Sequence, residues 1–115
     1  YGEISSDVTF DGKVLGRYKI PSLIATGWSG QNWYRKWSDG WLEQGGNYGS
    51  SSQSTVSFLR PYKDNGYTVL LTTCRSTGNT GSEWVKTKTT TNFTRMFSYG
   101  DESSAGQWYT CGTGA

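Results

Sequence analysis

The 115-residue sequence contains no histidine and only two cysteines, two prolines and one methionine. Without histidine, the chain lacks the imidazole base of Ser-His-Asp and Cys-His nucleophilic sites and every imidazole ligand for a metal ion. Cys74 and Cys111 lie far apart in the sequence, and neither belongs to a C-x-x-C motif. They are compatible either with two small buried thiols or with one disulfide between two late strands.

The sequence also lacks a large excess of either charge and any long apolar run. The 11 basic and 9 acidic side chains leave a net charge of +2 without a basic run, so nucleic-acid binding has no electrostatic support. The longest apolar stretches, Ile20 to Ala25 and Val69 to Leu71, are too short to cross a bilayer, which predicts a soluble domain without membrane insertion. The chain opens at Tyr1 without a signal-like segment, as expected of a piece or a processed product of a longer protein.

Aromatic side chains and glycine are plentiful instead. Aromatics form 16% of the residues and glycine accounts for 16 positions, whereas only 33% of the residues are hydrophobic. This composition favours strands and turns around a core of few, large side chains. Short alternating segments between turn residues predict about seven strands in one all-β domain, an antiparallel β-sandwich. The clearest of them are residues 55–59, 67–73, 83–91, 93–97 and 107–111.

The segment WYRKWSDGWLEQGG, residues 33–46, gathers three tryptophans and a tyrosine around one Asp-Gly pair. Alternation places Trp33, Arg35 and Trp37 on one face of a strand. Asp39 and Gly40 both tolerate positive φ, which predicts a hairpin with a two-residue type I′ turn. Burial of one indole contributes about 4–6 kcal/mol before entropy is counted. The hairpin is therefore expected to anchor the core.

Three other connections can be assigned from turn residues. A weaker hairpin is predicted at Asp11-Gly12, and a tight connection at residues 63–66, which carry Asp, Asn and Gly. Residues 47–54 are small and polar and bury little apolar area, which predicts a mobile loop.

Carboxylates offer one catalytic hypothesis. Glu43 lies among apolar neighbours with Asp39 close by across the turn, and glycoside hydrolysis needs two such carboxyl groups. The structural alternative has Asp39 forming the turn and Glu43 pairing with Arg35 or Lys36 on the facing strand. The structural alternative is preferred, so the prediction is a domain without catalytic residues, metal or cofactor.

The aromatic residues carry the remaining functional signal. Five tryptophans lie in periodic strands and are predicted to be core or subunit-interface rings: Trp33, Trp37, Trp41, Trp84 and Trp108. Four aromatics lie in or beside connections rich in glycine and serine, where an exposed ring can stack on a sugar or another protein: Trp28, Tyr48, Tyr62 and Tyr99.

The hairpin, followed by STVSFLRPY, YTVLLTT and the closing WYTCG, resembles the C-terminal tip domain of tailed-bacteriophage tail-fibre proteins from about Gly27 to the end. The resemblance implies a β-sandwich knob at the distal end of a homotrimeric fibre in the virion. It implies that the partner is a glycan or outer-membrane protein of the bacterial host. Residues 1–26 then form a lead-in from a shaft or collar, and residues 27–115 form the tip domain.

The predicted ligand-binding residues lie in the connections, with the hairpin as scaffold. They are Trp28, Tyr48, Tyr62, Lys63, Asp64, Asn65, Tyr99 and Asp101. Three alternatives remain open: a trimerisation cap of the fibre, a carbohydrate-binding module, and a polysaccharide depolymerase that uses Glu43.

Overall fold

The computed structural model describes residues 4–10, 12–74, 81–98 and 104–115, with backbone only for residues 4–10 and 13–19. Within these ranges every regular element is a β-strand, and no helix is long and apolar enough to cross a membrane. The strands are β1 Ile4–Phe10, β2 Lys13–Ile20, β3 Leu23–Ser29, β4 Asn32–Trp37, β5 Trp41–Ser51, β6 Gln53–Ser57, β7 Thr68–Cys74, β8 Ser82–Lys88, β9 Asn92–Ser98 and β10 Ser104–Thr113.

The strands form an antiparallel sandwich preceded by a hairpin. One sheet has the order β3-β4-β5-β10-β7, the other has the order β6-β9-β8, and β1 pairs with β2. This confirms the predicted all-β sandwich, which has eight strands in the described residues. The strand absent from the prediction is β3, because its alternation is weak and Pro21 interrupts the apolar patch before it.

The amino-terminal hairpin turns where the sequence predicts. Gly12 adopts a φ of 72°, between β1 and β2, and Phe10 lies opposite Lys13. Strand β3 begins at Leu23 and ends at Ser29, so it contains residues on both sides of position 26. The division into a lead-in and a tip domain stays a prediction.

The β4–β5 hairpin forms, but its loop has three residues, Ser38 to Gly40. The amide of Gly40 donates to the carbonyl of Trp37 at 2.9 Å, and Gly40 has a φ of 92°. This places the positive φ after the turn, as in a three-residue hairpin loop. The predicted two-residue turn is therefore wrong. Asp39 instead accepts a hydrogen bond from the amide of Trp41 through its carboxylate.

The prediction of a mobile loop over residues 47–54 is also wrong. Strand β5 runs on to Ser51, and Asn47 and Tyr48 lie opposite Gln107 and Gly106 of β10. Because β5 pairs with β10 as far as Ser51, backbone hydrogen bonds order this segment. The next connection, at residues 63–66, is tight as predicted, and the amide of Gly66 donates to Asp64.

Two clusters form the interior of the sandwich. In the first, Phe58 packs edge-on against Tyr62 and Tyr67, and the two tyrosine rings stack at 4.4 Å. Gln44 is fully buried behind them and bonds the backbone of Leu59 and Arg60 three times. These bonds hold the segment after β6 against the larger sheet. The second cluster consists of Tyr48, Val56, Phe93 and Trp108.

A buried ion pair joins the two sheets beside the second cluster. Arg95 of β9 is 0% exposed and contacts Glu83 of β8 at 3.1 Å. Its guanidinium donates to Ser51 O on β5 and to both oxygens of Ser104 on β10, and it stacks on Tyr48 at 4.1 Å. Glu83 in turn accepts the hydroxyl of Tyr48. Burial, followed by this bond, raises the pKa of Tyr48 to about 12.

The two cysteines are free thiols. They lie on the adjacent strands β7 and β10, but Cys74 is opposite Ala105 whereas Cys111 is opposite Thr68. Six strand residues, about 20 Å, separate these two positions, which is too far for a disulfide. Cys74 is exposed, so the interpretation of two buried thiols is wrong for this residue.

Candidate functional site

The outer face of the five-stranded sheet carries a row of paired residues that crosses every strand, with a large side chain on each strand except β5. Trp28 pairs with Trp33, Trp33 with Gly45, Gly45 with Tyr109, and Tyr109 with Leu70. At about 4.8 Å per strand spacing, this row is about 19 Å long. We call these five residues the aromatic row.

The ends of the aromatic row are open to solvent. Trp28 is 67% exposed and Leu70 is 58% exposed. The rings between them are in contact: the Trp28 and Trp33 centroids lie 6.3 Å apart, and those of Trp33 and Tyr109 lie 6.2 Å apart. Adjoining exposed aromatic and apolar side chains are a feature of interaction sites.

Gly45 gives the row its shape. A Cβ at this position would lie 2.7 Å from the ring of Trp33, so the indole lies directly on the strand backbone. Only glycine allows that approach. The Trp33 ring thereby bridges from β4 across β5 towards Tyr109 of β10.

Glu43 holds the neighbouring aromatic side chains in place. Its carboxylate accepts the indole N–H of Trp37 at 2.8 Å and the hydroxyl of Tyr109 at 2.5 Å. Burial, followed by the bond to Glu43, raises the pKa of Tyr109 above its ordinary value. The predicted strand partner Arg35 does lie opposite Glu43, and its guanidinium stacks 5.2 Å from the Trp33 ring. Glu43 therefore positions two aromatic side chains.

Most hairpin tryptophans thus lie outside the core of the chain. Trp108 alone among the five strand tryptophans is buried. Trp33 and Trp37 are half-buried on the outer face, and Trp41 and Trp84 are exposed. These four are not core rings, because the core is already filled by tyrosine and phenylalanine from the segments after β6 and in β9. The other half of the prediction, that they lie at a subunit interface, stays a prediction.

A polar depression adjoins the aromatic row on the same face. Asn47, Gln107 and Thr72 are exposed neighbours across β5, β10 and β7. Each lies two residues along its strand from the aromatic row, a distance of about 7 Å. These three residues form a second row, and Gln31 extends it, because the side-chain NH₂ group of Asn47 donates a hydrogen bond to the side-chain oxygen of Gln31. The depression measures about 550 Å³, within the range of small-molecule sites.

Two of the predicted ligand-binding rings are buried. Tyr62 is 1% exposed, and its hydroxyl bonds the Thr110 side chain at 2.7 Å. Tyr48 lies in β5 between Arg95 and Glu83. The expectation of exposed rings is wrong for both, because flanking glycine and serine belong to strands or tight connections that fold the rings inward.

The other predicted residues do not form one site. Trp28 is exposed as predicted, on edge strand β3. Lys63, Asp64 and Asn65 are exposed in the connection before β7. The Lys63 amide bonds Thr113 of β10, which lies three strands from β3. Tyr99 and Asp101 lie outside the described residues.

The sequence prediction missed the outward residues of the carboxyl-terminal strands. Leu70 with Thr72, and Gln107 with Tyr109, alternate at a period of two and share one face. Their alternation is visible in the sequence. Their proximity to the hairpin is not, because it depends on β10 lying between β5 and β7.

Comparison with known proteins gives a likeness of fold. No family model matches the chain, and no curated protein matches it. An N-truncated R2-type pyocin tail fibre superposes with a TM-score of 0.56 at 18% identity over 79% of this chain. A C-terminal fragment of the R2 pyocin fibre of P. aeruginosa superposes with a TM-score of 0.56 at 16% identity over 81% of this chain. The superposed region is 39% and 26% of those two chains, so the chain shares its fold with part of each fibre.

Proposed function

We propose that the chain is a tail-fibre domain that binds a receptor on the bacterial surface during host adsorption, through the aromatic row. The receptor is a glycan or an outer-membrane protein, and the domain lies at the distal end of a fibre in the virion. The fold shared with two pyocin tail fibres supports the fibre role. The composition of the outer face supports the binding role.

The observation that carries this proposal is the combination of exposure and rigidity in the aromatic row. Trp28 leaves two thirds of its surface in solvent, while Trp33 is held on Gly45 and Tyr109 is held by Glu43. Side chains that are already fixed lose little rotamer entropy on binding, and aromatic anchors dominate binding energies. The sandwich itself does not need these rings, because its core is complete beneath them.

The test is adsorption of the fluorescently labelled domain to a panel of bacteria and to their extracted surface polysaccharides. We expect Trp28→Ala to weaken binding about 30-fold, the effect of losing about 2 kcal/mol at a binding hot spot. The matched control is Trp84→Ala, which removes another exposed indole, 44% exposed, from the smaller sheet. Both variants should melt within a few degrees of the unaltered domain.

Two outcomes would contradict the proposal. If the unaltered domain adsorbs to no susceptible host and does not compete with phage or pyocin particles, receptor binding is wrong. If Trp84→Ala weakens adsorption as much as Trp28→Ala, the aromatic row is not the binding surface.

A second candidate function is self-association, with the aromatic row buried between copies of a homotrimer. The exposed apolar side chains at both ends of the row, Trp28 and Leu70, favour it. Light scattering, which measures the mass of the particle in solution, distinguishes self-association from receptor binding by the aromatic row. If Leu70→Ser converts a trimer to a monomer, the row is a subunit interface and the domain is a trimerisation cap. In that case we would assign receptor binding to Lys63, Asp64 and Asn65. If the aromatic row is the receptor-binding surface, we expect the alanine variants of these three residues to adsorb normally.

We further propose that the domain holds its ligand without cleaving it. Both oxygens of Glu43 accept hydrogen bonds from aromatic side chains, which supports a positioning role for this carboxylate. The domain should release no reducing ends from host polysaccharide. Release that disappears in Glu43→Gln would restore the depolymerase hypothesis.

A further inference from the structure

We propose that the depression beside the aromatic row is a subsite for an uncharged pyranose unit. This inference rests on the proposed receptor-binding function and names the chemistry of the ligand. It is carried by the lining residues of the depression, by its distance from the aromatic row and by the lack of charge among the lining residues that the structure describes.

The described lining of the depression presents amide and hydroxyl groups. Its exposed side chains are the amides of Gln31, Asn47 and Gln107, the hydroxyls of Thr72 and Thr73, and the thiol of Cys74. An amide offers a carbonyl acceptor and an NH₂ donor, which match neighbouring hydroxyls of a sugar, since each hydroxyl both donates and accepts. The bond from Asn47 to Gln31 uses one donor and one acceptor, and it leaves the Asn47 carbonyl and the Gln31 NH₂ group for a ligand.

The carboxylate that the described lining of the depression contacts is already paired. Thr73 in its lining donates to Glu83, but Glu83 forms the buried ion pair with Arg95. No described lining residue carries a charge. Against this described lining, a carboxylate-bearing sugar would therefore lose its hydration without gaining a cationic partner.

The spacing of the two rows fits a sugar with one apolar and one polar side. About 7 Å separates Gln107 from Tyr109 along β10, and the same distance separates Thr72 from Leu70 along β7. A pyranose can lay its C–H face on a ring of the aromatic row while its hydroxyls reach the amides. This arrangement is the ordinary division of a small-ligand site into apolar walls and a few placed polar groups.

The experiment is saturation-transfer NMR with the full chain and matched pairs of methyl glycosides. Methyl β-glucoside is compared with methyl β-glucuronide, and methyl β-galactoside with methyl β-galacturonide, so that each pair differs only at C6. We expect saturation transfer to at least one uncharged member and a weaker signal from its uronide. We expect Asn47→Ala and Gln107→Ala each to lower the affinity about 3–10-fold, the usual effect of one lost hydrogen bond.

Gln53→Ala is the matched control, because it removes an exposed glutamine from β6 of the smaller sheet. All three variants should retain their melting temperature. The inference is overturned if the uronides bind more tightly than the uncharged glycosides. It is also overturned if Asn47→Ala and Gln107→Ala adsorb normally to bacteria while Trp28→Ala does not, and in that case receptor binding stands without this subsite. Absence of adsorption by the unaltered domain would instead refute the proposed function.

Discussion

Replacing Arg95 with methionine tests whether the buried ion pair holds the two sheets together. Methionine keeps an unbranched side chain, although a shorter one, and removes the charge and its donors. The variant leaves the carboxylate of Glu83 without its cation, and it leaves the backbone oxygens of Ser51 and Ser104 without their donor. Because Arg95 is fully buried, water cannot replace these bonds.

Removing one partner of a buried ion pair typically costs about 3–5 kcal/mol. For a domain of this size, each kcal/mol lowers the melting temperature by about 4 °C, so Arg95→Met should melt about 12–20 °C lower. The control is Lys86→Met, which removes the same charge from the exposed face of β8. Adding Glu83→Gln to Arg95→Met should restore part of the loss, because the uncompensated charge is gone.

Thermal unfolding followed by circular dichroism measures these differences directly. A melting temperature for Arg95→Met equal to that of Lys86→Met would refute the argument that this pair joins the sheets. A double variant no more stable than Arg95→Met would show that the uncompensated Glu83 carboxylate is not the source of the loss.

Three further predictions concern the core and the outer face. The pKa of Tyr48 is about 12 in the folded chain and about 10 in the unfolded chain. The protonated hydroxyl therefore contributes its full stability below pH 10, and this contribution declines as the pH rises towards 12. The melting temperature of Tyr48→Phe should accordingly fall less steeply with pH than that of the unaltered domain. Gly45→Ala should displace the Trp33 ring, lower the free energy of unfolding by about 1–3 kcal/mol and weaken adsorption. Gly49→Ala, whose Cβ would meet nothing within 4 Å, should leave the free energy of unfolding unchanged. A thiol reagent should label exposed Cys74 in the folded domain, and reductant should leave the melting temperature unchanged because both thiols are free.

Sequence patterns predicted those elements whose side chains alternate strongly or whose turns contain Asp-Gly. The β4–β5 hairpin and strands β8 to β10 are of this kind. The length of the β4–β5 turn was not predictable from the Asp-Gly pair alone, since Ser38 joins the loop and binds Ser22 through its backbone. Residues 47–51 were mispredicted because their order comes from pairing with β10, far along the chain.

The candidate site was predictable only in part. The hairpin places Trp33 and Trp37 on one face, which alternation indicated, and the exposure of Trp28 was expected. The aromatic row also needs Tyr109 and Leu70, which only the sheet order brings beside the hairpin. Local composition pointed instead to loop aromatics such as Tyr62, whose ring the fold buries.

The most direct test of the aromatic row as receptor-binding surface is an NMR titration of the indole N–H groups with purified polysaccharide from a susceptible host. Trp28 and Trp33 should shift, whereas Trp84 on the opposite sheet and buried Trp108 should not. Shifts confined to the backbone amides of residues 63–65, with all six indoles unmoved, would contradict the account and transfer binding to the connection before β7.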